Sequence, residues 1–330
     1  MDKTFNAIIV EEKKSGEFFQ SIKERNISHL PKGDLLVKVK YSSLNYKDSL
    51  SFSGNKGVTK IYPHTPGIDA MGIVENSKTK DFNKGDKVII TGYDLGMNTP
   101  GGFGEYISVP KEWVTLLPDK LGDSESMILG TAGLTAGLCI NSINHNHKIK
   151  GKKAVVTGST GGVGCIAVML LTKLGAEVTA ITGKTNSQDF LYSIGAKEVL
   201  LRNDFLSSVK KPMSKGSWDI AVDVAGGDIL AGIIASMKYG GTIACCGLVD
   251  SPSFTSSVFP FILRGISLVG IDSAEASTNE KAKIWYKFAH NWKLNGIQNI
   301  SKNVDLYGMM NEINKILEGR QIGRILLKHK

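Results

Sequence analysis

The chain has 330 residues, 42% hydrophobic and 22% charged, with a formal net charge of +9. That length exceeds one ordinary core and predicts two domains with a ligand cleft between them, while no apolar run approaches the roughly 20 residues of a membrane-crossing helix. The lysines are scattered and form no basic run, which argues for a solvated basic surface and against a nucleic-acid partner.

Met1-Asp2-Lys3-Thr4-Phe5 carries mixed charge and runs straight into Ala7-Ile8-Ile9-Val10, with neither the apolar core nor the cleavage site of a secretory leader. A cytoplasmic location is expected. The first hundred or so residues hold short strand-like runs at Ala7 to Val10, Leu35 to Val39, Gly72 to Val74, Lys87 to Ile90 and Glu105 to Val109. Glycine, proline and polar turns separate them, the rhythm of a small, mostly antiparallel β domain. Pro118 to Asp123 reads as a boundary and Ser124 to Cys139 as a closely packed helix.

From Lys153 the pattern becomes alternation of strand and helix, as a parallel sheet with crossover helices requires. Strands are expected at Ala154 to Thr157, Val178 to Thr182, Glu198 to Leu201, Ile220 to Val224, Thr242 to Cys246 and Ser267 to Ile271. Helices are expected at Gly162 to Lys173, Ser187 to Ile194 and Ile229 to Met237. The fold class is therefore α/β, a doubly wound parallel sheet of the Rossmann type with ligand at its carboxyl edge. Near the C-terminus, Met309 to Leu317 suits an amphipathic helix and Arg324 to Lys328 a strand. Neither has a place in a sheet already complete, so both are expected to return to the β domain. This gives residues 1–123, completed by about 295–330, for the β domain and residues 124–294 for the inserted dinucleotide-binding domain.

The most informative segment is Val155-Val156-Thr157-Gly158-Ser159-Thr160-Gly161-Gly162-Val163-Gly164, a glycine-rich turn between the first of these strands and its helix. Glycines let the backbone turn sharply and approach a ligand, and the unpaired first amides of the helix point at an anion. About 24 residues beyond Gly158, where the next strand ends, an NAD site usually offers an acidic residue for the ribose 2′-hydroxyl. This chain has Thr182-Gly183-Lys184, and a lysine there favours a 2′-phosphate, hence NADPH. The same lysine argues against a methyltransferase. Cys139, Cys165, Cys245 and Cys246 lack paired-ligand spacing, and the six histidines add no metal signature, so no metal is expected.

Taken in order, Leu44-Asn45-Tyr46-Lys47-Asp48, Pro66-Gly67-Ile68-Asp69 and Gly130-Thr131-Ala132-Gly133-Leu134-Thr135-Ala136 resemble the medium-chain dehydrogenase/reductase superfamily over nearly the whole chain. Pro260-Phe261-Ile262-Leu263-Arg264-Gly265 followed by Gly270-Ile271-Asp272-Ser273 resembles its YhdH/YhfP-type quinone oxidoreductases, the group that includes acryloyl-CoA reductases. The resemblance implies a GroES-like β domain around the nucleotide domain. Where the zinc branch carries Gly-His-Glu, this chain has Gly67-Ile68-Asp69, and the four-cysteine lobe is missing, so zinc-independent hydride transfer is implied.

The resemblance further implies that Ser159, Thr160, Gly161, Gly162 and Val163 hold the pyrophosphate and that Thr182, Gly183 and Lys184 hold the 2′-phosphate. Arg202 would lie beside the adenine and its ribose, while Leu248, Ile262 and Ser273 would meet the nicotinamide end. Asn45 and Tyr46, in the polar segment after a strand, would orient a carboxamide or substrate carbonyl, with Tyr46 a candidate proton donor. Lys47 and Asp48 are expected to form a structural ion pair, and Tyr41, Asp69 and Thr131 are further cleft candidates. The implied substrate is a small molecule, a quinone or an enoyl thioester, and the implied assembly is a homodimer contacting through residues 240–273. A non-catalytic NADPH sensor would share the binding motifs.

Overall fold

The computed structural model describes residues 3–330. Met1 and Asp2, which belong to the leader reading, lie outside the described residues. The chain opens with β1 (Thr4–Glu12) and β2 (Phe18–Asn26), an antiparallel hairpin in register from Thr4 opposite Asn26 to Glu12 opposite Phe18. β2 escapes the sequence reading because Lys23, Glu24 and Arg25 interrupt its apolar pattern; its partner strand supplies the buried face. β3 (Leu35–Ser43) buries Leu35, Val37 and Val39 at the period of two expected of a strand. After it come α1 (Tyr46–Phe52), β4 (Asp69–Ser77), β5 (Lys87–Thr91), β6 (Tyr106–Val109) and β7 (Val114–Leu116).

α2 (Asp123–Asn146) is longer than expected and is broken at Gly130, whose φ is 51°. The expectation that no segment approaches membrane-spanning length needs correction here. By length and composition this helix is apolar enough to cross a bilayer, with 78% of its apolar window buried in the protein. Burial of that kind is the mark of a core helix.

The second part of the chain runs β8 (Lys153–Val156), α3 (Gly162–Lys173), β9 (Glu177–Thr182), α4 (Gln188–Ser193), β10 (Glu198–Leu201), α5 (Arg202–Ser208), β11 (Trp218–Asp223), α6 (Gly227–Ser236), β12 (Met237–Cys245), α7 (Phe259–Arg264) and β13 (Ser267–Gly270). All six strands are parallel, in the order β10-β9-β8-β11-β12-β13. Strand order therefore reverses beside β8, the switch point where a doubly wound sheet opens its ligand crevice. Val155, Ala221 and Ile243 of the sheet pack against Ile229, Leu230, Ile233 and Ile234 on and beside α6.

The chain ends with α8 (Thr278–Ala289), β14 (Ser301–Val304), α9 (Leu306–Leu317) and β15 (Arg324–Lys328). β15 pairs antiparallel with β3 and parallel with β14, so the C-terminus completes a seven-stranded sheet of order β14-β15-β3-β4-β5-β7, with β6 as the seventh strand paired to β3. Two compact units result, one of residues 1–131 with 273–330 and one of residues 132–272. The sequence reading drew these lines at 123/124 and 294/295. Residues 124–131 and α8 belong to the first unit, α8 by packing against β7.

Candidate active site

In the nucleotide unit the glycine-rich turn leaves β8 and enters α3 at Gly161. Gly164 must lack a side chain, since a Cβ there would lie 2.3 Å from the Gly158 carbonyl oxygen and 2.7 Å from the Ser159 Cα. The turn thus presses onto the helix, and the amides of Gly162, Val163 and Gly164 come too early in α3 for an intrahelical acceptor, the arrangement from which a helix start can receive an anion. Ser159 is fully buried, and its hydroxyl donates to the carbonyls of Val156 at 2.7 Å and Ile181 at 3.1 Å. Its side chain therefore clamps the turn to β9.

Thr182 ends β9, and its hydroxyl accepts the Lys184 amide at 3.0 Å. The Lys184 ammonium donates in turn to the Thr160 hydroxyl at 3.0 Å, setting a cation across the turn. Partial burial lowers its pKa from the usual lysine range. Arg202, the first residue of α5, lies against Gly183: a Cβ at 183 would be 3.4 Å from both Cζ and Nη2 of the guanidinium. Its Nη1 is tied to Asp250 at 3.0 Å.

Thr160, Gly183, Lys184 and Arg202 thus gather at one end of β9. Leu248 and Ile262 do not join them; their side chains are 60% and 71% exposed. Ser273 falls in the other unit. The sequence reading missed Asp223, fully buried at the end of β11, which accepts from the Thr157 hydroxyl at 2.7 Å and the Gly226 amide at 2.9 Å. Burial raises its pKa. Its only sequence signal is a lone acid ending an apolar strand.

In the first unit a second polar centre forms around Asp69, the fully buried first residue of β4. Its carboxylate accepts from Ser43 Oγ at 2.5 Å, Asn45 Nδ2 at 2.7 Å, the Thr131 amide at 2.9 Å and Thr131 Oγ1 at 2.5 Å. Gly130 makes this possible. A Cβ there would lie 2.5 Å from Asp69 Oδ2 and from Ser43 Oγ, so only glycine, at positive φ, lets the chain cross the carboxylate and present Thr131.

Arg324 of β15 is also buried. It donates Nε to the Ile128 carbonyl at 2.8 Å and Nη1 to the Leu44 carbonyl at 3.0 Å and Asn45 Oδ1 at 3.4 Å. Contacts spanning 280 residues leave no local sequence signal.

Asn45 and Tyr46 stand at the start of a helix, where the sequence reading had only a polar segment after a strand. Asn45 is the N-cap of α1, and Tyr46, its first residue, is 41% exposed. The expected Lys47–Asp48 ion pair is not formed. Asp48 is fully buried and accepts the amides of Asn45 at 2.8 Å and Ile68 at 2.7 Å, capping α1, whereas Lys47 is half-buried. A capping acid points back to the helix start, away from its neighbour in the chain. Burial first, then the Asp69 charge, pushes the Asp48 carboxyl up to about 7. The centre holds two buried carboxyl groups and one buried guanidinium, and Tyr46 is the first residue of the helix that Asp48 caps.

The Alcohol dehydrogenase GroES-like domain family matches residues 31–119, and the Zinc-binding dehydrogenase family matches residues 162–287. Zinc does not fit here. Both Asp69 oxygens already accept protein donors, and among the described residues no group of three or more His, Cys, Asp or Glu could hold a metal ion.

YhfP of Bacillus subtilis, described as a candidate quinone oxidoreductase, is 39% identical over 99% of this chain and 100% of its own; its structure with NAD bound superposes with a TM-score of 0.95, 38% identity and coverage of 99% of this chain and 100% of that one. The acrylyl-CoA reductase AcuI of Ruegeria pomeroyi is 35% identical over 98% of each chain. YhdH of Escherichia coli K-12 with bound NADPH has a TM-score of 0.92 at 36% identity, covering 98% of this chain and 99% of that one. On these matches the chain is an oxidoreductase of the medium-chain dehydrogenase/reductase superfamily and belongs to its YhfP, YhdH and AcuI group.

Proposed function

We propose that this oxidoreductase uses NADPH, without a metal ion, to reduce the activated C=C bond of an acryloyl-CoA-type enoyl thioester, with quinones as the competing substrate class. The observation that carries the reading is the pair of cations at the end of β9. Lys184 is held on Thr160 and Arg202 lies against Gly183, where an NAD-specific site would place a carboxylate. Relatives of the same length include one structure with NADPH bound and one acrylyl-CoA reductase.

The bound nicotinamide supplies hydride. The amides of Gly162, Val163 and Gly164 would hold the pyrophosphate and Lys184 and Arg202 the 2′-phosphate, while Leu248, Ile262 and Ser273 would serve the nicotinamide end. Asn45 donates Nδ2 to Asp69, and its Oδ1, which accepts Arg324 Nη1 at 3.4 Å, has a second lone pair for a carboxamide. Thr131 fixes Asp69, and Asp69 fixes Asn45. The Tyr46 hydroxyl stabilises charge developing on the substrate carbonyl oxygen and gives the α-carbon its proton. A net charge of +9 suits the phosphates of coenzyme A.

We also propose a homodimer through β13, which closes one side of its sheet with β12 as its neighbour in the ladder. Exposed Val258, Phe259 and Leu263 precede it, as an interface requires. The deciding experiment is kcat/KM for acryloyl-CoA against 1,4-benzoquinone, each with NADPH and NADH. Acryloyl-CoA with NADPH is expected to be highest. Higher efficiency with NADH, or no NADPH oxidation with either substrate, overturns the reading.

A further inference from the structure

Asp250 sits beside the cation that reads the adenine end, and nothing in the proposed chemistry needs a negative charge there. Its Oδ1 accepts Arg202 Nη1 at 3.0 Å. Its backbone is anchored, the amide donating to the Ala225 carbonyl at 2.9 Å. The other carboxylate oxygen lies over the start of α6, since a Cβ at Gly227 would meet Oδ2 at 2.7 Å. The carboxylate is therefore held from two sides, by a guanidinium and by the positive end of a helix dipole. Meanwhile the guanidinium packs against Gly183, its Cζ and Nη2 nearest, the side on which Lys184 reaches Thr160.

From this geometry we propose that Asp250 is a specificity-determining residue that limits how strongly the site prefers a 2′-phosphate over a 2′-hydroxyl. The inference rests on the NADPH reading above and deepens it. A phosphomonoester approaching Arg202 brings a charge of about −1.5 to −2. It meets a guanidinium already partly neutralised by Asp250 and must sit close to that fixed carboxylate. A 2′-hydroxyl carries no charge and is not repelled by it, since a hydroxyl can donate a hydrogen bond to a carboxylate or to an amide oxygen alike. Asp250 thus weakens NADPH binding selectively, and the related fold with NAD bound accords with discrimination set by a few local charges.

Asp250→Asn separates charge from position, because the amide oxygen still accepts Arg202 Nη1. Fluorescence titration of NADPH and NADH into wild type, Asp250→Asn and Asp250→Ala tests the idea. Asp250→Asn is expected to bind NADPH about three- to tenfold more tightly, with NADH within twofold of wild type and a steeper salt dependence for NADPH alone. Unchanged or weaker NADPH binding in Asp250→Asn, or equal changes for both cofactors, overturns the proposal. Wild type that fails to prefer NADPH sinks the parent reading as well, and is recognised in the wild-type titration before any variant is compared.

Discussion

Gly164→Ala is the sharpest perturbation of the phosphate cradle. The new Cβ would lie 2.3 Å from the Gly158 carbonyl oxygen, a backbone atom that cannot swing aside, so the turn must retreat by roughly 1 Å to reach ordinary contact. Alanine returns about 1 kcal/mol of helix propensity, set against roughly 1–3 kcal/mol of overpacking, so folding stability changes little or falls modestly. Binding suffers more. Hydrogen bonds from the α3 amides to a phosphate require donor–acceptor distances near 2.7–3.2 Å, and displacing them by roughly 1 Å forfeits most of one or two charge-assisted bonds, about 2 kcal/mol, or roughly 30-fold in NADPH affinity. Gly161→Ala is the control: its Cβ would lie 3.3 Å from the same oxygen at an ordinary φ of −78°, and less than threefold loss is expected. NADPH fluorescence titration with thermal melts of both variants reads the comparison. Gly164→Ala binding NADPH within twofold of wild type would refute the cradle.

The remaining expectations concern single side chains. Lys184→Met keeps the aliphatic stem and removes the charge; NADPH should bind roughly 10- to 100-fold more weakly while NADH is unaffected, and parallel losses would count against a 2′-phosphate contact. Asp48, with a folded pKa of about 7 against 3.8 for an ordinary aspartate, keeps its proton in the folded state where the unfolded chain releases it. Its contribution is therefore fully present below about pH 4 and is lost as pH rises to 7, up to about 4 kcal/mol. Chemical denaturation of wild type and Asp48→Asn from pH 4 to 8 checks this, since the difference between them should change with pH, and a constant offset is the contrary result. Tyr46→Phe should lower kcat with an enoyl thioester by roughly 100-fold if the phenol donates the proton. Full kcat removes that role.

The nucleotide half was legible because its signals are local. Strand–helix alternation from Lys153, the glycine-rich turn and Lys184 all lie within a few residues of the structure they specify, and the six-stranded parallel sheet follows from their order. Local pattern failed for α1, whose Tyr-Lys-Asp-Ser start has little helical periodicity and is held by the Asp48 cap. It failed also for β2, whose charged half is strand only because β1 pairs with it.

The α/β class, the glycine-rich turn and the lysine just beyond β9 can be read from neighbouring residues and backbone sterics alone. The chemistry around Asp69 exists only in the folded chain. Ser43 and Asn45, Thr131, and Arg324 come from three separate stretches of chain, and a carboxylate excluded from water must recruit donors from whatever elements pack around it. The same physics turned Asp48 inward, away from Lys47, and set Asp250 against Arg202 across 48 residues.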